Sequence, residues 1–322
     1  MTPQERADRV LAGDVRAIAR LMRDIDDGQP GWTEVLKLLH PRAGRARIIG
    51  LTGSPGVGKS TLTDDLVGRF RAQGLTVGVV AVDPTSPFSG GAILGDRIRM
   101  QRHATDEGVF IRSLATRGHF GGLTSSTRGV VTVMEAMGKD VILVETVGVG
   151  QDEVEIVRTA DTTVIITVPG LGDDIQAIKA GILEAGDIFV VNKMDREGAG
   201  RTVQELKNML ALSGGAKHRS GWEPPVILTC GLDGRGLPEL MQALDGHLQV
   251  LTADEGRLLA QRRREGARRE LMDLIQAGVM ERLLGRLGPE QGLEAMVEQV
   301  VSGRADPYTL SQQALSKVLG QE

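Results

Sequence analysis

The chain has 322 residues, of which 41% are hydrophobic but only 2% aromatic, so its core must be built from Val, Ile, Leu and Ala, and a base-stacking surface for single-stranded nucleic acid is not expected. A formal net charge of −4 gives no basic field to recruit nucleic acid or a membrane surface. A single cysteine, Cys230, excludes an intrachain disulfide, no apolar run has membrane-span length, and MTPQERADRV lacks the layout of a secretion signal, so a soluble cytoplasmic protein is expected.

Three regions follow from the pattern of apolar residues: 1–45, 46–250 and 251–322. In the first, Thr2, Pro3 and Glu5 form a capping box with proline at the first helical position. Val10, Leu11, Ile18, Leu21, Met22 and Ile25 then recur at helical spacing until GQPGW (residues 28–32) breaks the helix. In the second region, RIIGL, TVGVVAV, GVFIRS, DVILVE, TTVIITV, DIFVVN and PPVILT are short β-branched runs that alternate with helical stretches. Continuously apolar strands between helices predict an α/β fold, with a mostly parallel sheet covered on both faces and ligands at the carboxyl ends of its strands.

The first run leads into GSPGVGKST. It fits G-x-x-x-x-G-K-[ST], the phosphate loop of the P-loop NTPases, in its required place between a strand and a helix. Gly53, Ser54, Pro55, Gly56, Val57, Gly58, Lys59, Ser60 and Thr61 are therefore candidate nucleotide-binding residues. Glycines let backbone amides approach phosphate oxygens, and the helix N-terminus adds positive potential. Lys59 would reach the β- and γ-phosphates and Ser60 would ligate Mg2+. That hard cation needs further oxygen ligands. Glu145 ends DVILVE, Asp83 ends TVGVVAV, and GDRIRM supplies Asp96; each is also a residue type common at surfaces and caps.

ETVGVGQ follows Glu145. The Gly148 amide could bond the γ-phosphate and be released on hydrolysis, as a switch does, and Gln151 could orient the attacking water. Lys59, Glu145 and Gln151 are the candidate catalytic residues. Arg112 and Arg117 are the arginines available near the site, although surface or ion-pair roles are the simpler reading for both. PGLGDDIQAIKAG is a glycine loop entering a helix, open to simple capping by Asp173 or Asp174 or to motion. DIFVVNKMD then ends a strand with N-K-x-D. Asp195 can accept from guanine N1–H and from its exocyclic amine, a donor pair that adenine lacks, with Asn192 and Lys193 beside it. GTP and GDP are thus the expected nucleotides. PPVILTCGL could bring the backbone amides of Cys230, Gly231 and Leu232 to guanine O6, with the cysteine serving as a small residue rather than a nucleophile.

In the third region, QRRREGARRE reads as a solvated charged segment. It leads into a packed helix striped by Leu271, Ile275, Val279, Leu283 and Leu284; a partner or dimer contact is the sharper alternative.

Taken together, GSPGVGKST, AVDPTSPFSGGAILGDRIRM, IRSLATRGHFGGL, VILVETVGVGQ, VPGLGDDIQAIKAG and VNKMD resemble the MeaB/ArgK-type GTPases. These are chaperones of adenosylcobalamin-dependent acyl-CoA mutases, chiefly methylmalonyl-CoA mutase. The likeness spans roughly residues 47–250 and, more loosely, both helical ends. It implies a SIMIBI-class G domain (46–250) with an N-terminal helical extension (1–45) and a C-terminal homodimer region (251–322). It also implies Asp83, Asp96 and Glu145 as magnesium-site acids, and a third switch at Pro169 to Lys179 in which Asp173, Gln176 and Lys179 link client binding to hydrolysis. GTP hydrolysis would gate cofactor loading onto the mutase, and the adenosylcobalamin would belong to the client, not to this chain. Two other readings stay open. A metal-insertion GTPase delivering nickel usually carries a His/Cys cluster, whereas His40, His103, His119, His218 and His247 are scattered here. A phosphotransferase would reveal itself by a phosphorylated product.

Overall fold

Each of the seven apolar runs becomes a strand in the computed structural model, which describes residues 1–84, 101–103, 105–116, 122–146, 159–170, 186–212, 221–286 and 292–319. The strands are β1 (Arg47–Thr52), β2 (Val77–Pro84), β3 (Val109–Thr116), β4 (Val141–Glu145), β5 (Thr162–Thr167), β6 (Ile188–Val191) and β7 (Val226–Leu228). They form one sheet in the order β3-β2-β4-β1-β5-β6-β7, and every pairing is parallel. Parallel neighbours need crossovers, and the described helices supply them: α4 (Lys59–Ala72), α5 (Gly122–Ala136) and α6 (Ala199–Leu212).

Side chains alternate across each strand, so neighbouring residues enter different cores. Ile49, Leu51, Val79, Leu143 and Val164 pack with Leu62, Leu66 and Phe70 of α4 and with Leu240 and Leu244 of α7 (Leu237–Arg286). Ile48, Val80, Val82, Ile142 and Val144 face the other way, against α5 and the three N-terminal helices α1 (Pro3–Leu11), α2 (Val15–Asp26) and α3 (Trp32–Leu39). Residues 1–45 thus contribute Ala7, Val10, Ile18, Leu21, Met22 and Ile25 to the same core as the sheet. A smaller cluster of Ile165, Phe189, Val191 and Leu206 lies under α6.

The capping box at Thr2 and Glu5 is formed in both directions. The helix expected up to GQPGW is instead two helices, because Asp14 caps a new one by accepting from the amides of Arg16 and Ala17. Leu11 is accordingly the one member of the predicted stripe that stays exposed.

The chain divides into two compact units, Met1–Gly266 and Ala267–Glu322. Helix α7 contains a break at Ala253–Gly256, where Asp254, Glu255 and Gly256 adopt left-handed backbone angles. Beyond it, QRRREGARRE is not simply solvated. Arg262 makes a two-pronged contact with Asp187, and Arg263 grips Asp161 through two nitrogens. Both aspartates are buried at the amino ends of β6 and β5, where Asp161 also accepts from the Ile48 amide and Asp187 from that of Thr163. The acids hold both arginines firmly charged. The second unit holds the end of α7 with α8 (Leu293–Val301) and α9 (Pro307–Leu319). Of its predicted stripe, Leu271, Ile275, Val279 and Leu284 are exposed and Leu283 is half-buried, and Met272, Leu274 and Met280 are exposed beside them.

Candidate functional site

In an all-parallel sheet every carboxyl end points the same way, so the loops after β1, β4, β5 and β6 share one edge. Register brings them level: Leu51 pairs with Glu145, and Thr52 with Ile165. Among the described residues, the candidate stretches Gly53–Thr61 after β1 and Asn192–Asp195 after β6 therefore share that edge although they lie far apart in the sequence.

The phosphate loop leaves β1 at Gly53, whose φ of +145° suits glycine. A Cβ at this position would lie 2.0 Å from the Ile166 carbonyl oxygen of β5. Gly53→Ala is therefore expected to destabilise the protein by at least about 2 kcal/mol and to abolish GDP binding. Thermal unfolding and nucleotide titration check this, and an unchanged melt with full binding would show that the loop can move away from β5. Gly56 and Gly58 also take positive φ, and a Cβ on Gly58 would lie 2.5 Å from the Asn192 amide nitrogen.

Lys59 and Ser60 open α4 and are both buried. The Lys59 ammonium lies within the curl of the loop, donating to the Gly53 and Ser54 carbonyls at 2.7 and 3.0 Å. The Ser60 hydroxyl donates to Glu145 Oε1 at 2.7 Å, and the Thr63 hydroxyl lies 2.9 Å from Oε2. Glu145 is only 4% exposed at the end of β4, an interior strand between β2 and β1. Next to it, the Thr146 hydroxyl donates to that of Thr52, tying β4 to the start of the phosphate loop.

The guanine-type motif meets the phosphate loop directly. The Asn192 side chain donates to the Val57 carbonyl at 2.8 Å, and its oxygen accepts from the Thr229 hydroxyl and the Gly231 amide. One buried amide thereby joins three loops. Lys193 adopts φ 57°, and its ammonium reaches the Gly56 carbonyl at 2.6 Å. This left-handed turn sends Asn192 inward and leaves Asp195 exposed, 3.4 Å from the Cys230 sulfur. Cys230 is buried and lies beside a carboxylate, which fits the small-residue reading. Its amide donates to the Arg235 carbonyl, so it and the Gly231 amide are both bonded within the protein, while Leu232 is exposed. Asp233 completes this turn and is pulled down to about 2, chiefly by its hydrogen bond from Arg235.

Asp83 lies next to last in β2, two residues past Ala81, which pairs with Glu145; its side chain lies outside the described residues. Asp96, Arg117, Gly148, Gln151, Asp173, Gln176 and Lys179 also fall outside them. Arg112 pairs with Asp26 of α2 at 3.4 Å, in the middle of β3. Sequence reasoning missed Thr63, which lies beyond the end of the phosphate-loop pattern. It also missed Thr229, whose only sequence signal is its place immediately before Cys230.

Comparison with known proteins bears on the fold and the family. The family model described as "Methylmalonyl Co-A mutase-associated GTPase MeaB" matches residues 16–287. A protein of Pyrococcus horikoshii named as a GTPase is 48% identical over 316 residues, covering 98% of each chain. GTPase ArgK of Escherichia coli K12 is 37% identical over 263 residues, 80% of this chain and 79% of that one. Among solved structures, one described as an LAO/AO transport system kinase superposes with a TM-score of 0.72 at 27% identity, covering 98% of this chain and 97% of that chain.

Proposed function

The chain belongs to the MeaB family of GTPases, and on that premise we propose that its GTP hydrolysis gates adenosylcobalamin loading onto a B12-dependent acyl-CoA mutase, with methylmalonyl-CoA mutase as the first candidate client. The same cycle would release damaged cofactor and so protect the mutase. The observation that carries this reading is the family match itself, which names association with that mutase and spans residues 16–287. The cobalamin would belong to the client.

The residues divide the work by their chemistry. Asp195 would read guanine, while Asn192 and Lys193 keep that reader at a fixed distance from the phosphate loop through Val57 and Gly56. Lys59 would place its ammonium against the β- and γ-phosphates. The hydroxyl of Ser60 and the carboxylate of Glu145 are hard oxygen donors 2.7 Å apart, a set suited to magnesium and its waters, with Asp83 and Asp96 as further acids. When bound, magnesium would supply positive charge at the transferring phosphate. Gly148, Gln151 and the third-switch residues Asp173, Gln176 and Lys179 would report the nucleotide state to the client. The exposed Leu271–Leu284 stripe supports a homodimer formed through the C-terminal region.

The test is GTP turnover by the purified protein, alone and with a B12-dependent acyl-CoA mutase encoded in the same genome. The expected result is marked stimulation by the mutase, with ATP inert and free phosphate as the product. A phosphorylated protein or small molecule would replace the switch reading with phosphotransfer. No stimulation by any encoded mutase would remove the chaperone role. Within the site, Glu145→Gln is expected to slow turnover roughly ten- to a hundred-fold while GDP binding in EDTA persists. Full turnover in that variant would take Glu145 out of the metal shell.

A further inference from the structure

The helix that follows the phosphate loop carries a second hydroxyl aimed at Glu145. Ser60 and Thr63 are three residues apart at the start of α4, a spacing that places both on one helix face. Each is paired with a different oxygen of the same carboxylate: Ser60 with Oε1 at 2.7 Å and Thr63 with Oε2 at 2.9 Å. Thr63 is fully buried and Glu145 only 4% exposed, so this contact is nearly dry.

We propose that Thr63 is a positioning residue for GTP hydrolysis, fixing the plane of the Glu145 carboxylate so that it meets the metal side of the nucleotide in one orientation. This rests on the reading of Ser60 and Glu145 as metal-side oxygens. The last torsion of a glutamate is soft, so a carboxylate held at one oxygen swivels about that contact. The Thr63 hydrogen bond, to the other oxygen, restricts that freedom. The Thr63 hydroxyl also lies 3.0 Å from the Lys59 carbonyl, but it has only one hydrogen to donate. A buried carboxylate is the stronger acceptor, so the hydrogen goes to Glu145. The neutral carbonyl already belongs to the helix, whereas Glu145 sits in a nearly dry setting where a missing donor is costly. Ser60 would share its oxygen with the cation, while Thr63 has no such second duty and holds Glu145 throughout the cycle.

The test compares Thr63→Val, which keeps the shape and removes the hydroxyl, with Thr63→Ser, which keeps the hydroxyl. Turnover is measured across a Mg2+ titration at saturating GTP. Mn2+ binding to the GDP-bound protein is followed by electron paramagnetic resonance, and GDP binding is measured in EDTA. For Thr63→Val, half-maximal turnover is expected to need about ten-fold more Mg2+, with Mn2+ affinity weakened in parallel, because partners that orient metal-side groups carry effects of that size. GDP binding in EDTA stays at the wild-type level, and Thr63→Ser restores the wild-type metal requirement. Should valine unfold the site, Thr63→Cys provides the same comparison with a weaker donor, and an intermediate shift is expected. A wild-type metal requirement in Thr63→Val, or an equal shift in Thr63→Ser, overturns the proposal. Ser60→Ala separates the two levels. If it leaves the metal requirement unchanged, the metal-side reading itself fails; if it raises the requirement while Thr63→Val does not, only the role of Thr63 is lost.

Discussion

Replacing Asp195 by asparagine is expected to weaken GTP binding roughly a hundred-fold and to let xanthosine triphosphate bind in its place. The carboxylate would accept two hydrogen bonds from guanine, whereas an amide presents one acceptor and one donor. Xanthine carries an oxygen where guanine carries its amine, so the amide matches it. The neighbourhood of this residue makes the result clean. Asp195 is exposed, and the inter-loop bonds around it are made by Asn192, Lys193 and Thr229. The melting temperature should therefore stay where it is while base preference inverts. Competition of GTP, xanthosine triphosphate and ATP for the fluorescent-nucleotide complex measures it. Unchanged GTP affinity in the variant would sink the assignment of N-K-x-D as the base reader.

The second large effect lies at the opposite edge of the sheet. Asp187 is 1% exposed and accepts from the Thr163 amide, from two nitrogens of Arg262, and lies 3.3 Å from His247 Nε2. Asp187→Ala removes all of these at once and leaves the guanidinium without its counter-charge, at an expected cost of about 3 kcal/mol in unfolding free energy. Breaking one partner of such a pair costs more than the pair contributes, because desolvation of the survivor is no longer offset. A denaturant titration of the isolated chain reads the loss as a lower midpoint with an unchanged slope. Guanine selectivity of the folded fraction should persist, since Asp195 lies beyond the far end of β6. A variant as stable as wild type would mean that the Arg262 contact is a solvated one of little consequence.

These two residues mark the line between what was legible and what was not. The N-K-x-D motif ending at Asp195 and the phosphate-loop pattern at Gly53–Thr61 are local: residues at fixed spacing, next to a strand and a helix, suffice to recognise them as motifs. Continuous apolar runs were enough for seven strands in a mostly parallel sheet, because a strand buried on both faces has no polar side to show. A GTPase fold and its family were therefore determined by sequence alone. Asp187 and Arg262 are 75 residues apart, and nothing local distinguishes QRRRE from a solvated charge run. Only the closing of the sheet placed a buried acid within reach of each arginine. Thr63 was invisible for a similar reason. Its meaning depends on Glu145, 82 residues later, being brought to the same helix face. Short-range chemistry is written in spacing, but partnership between charges and hydroxyls is decided by which chain segments the parallel topology sets side by side.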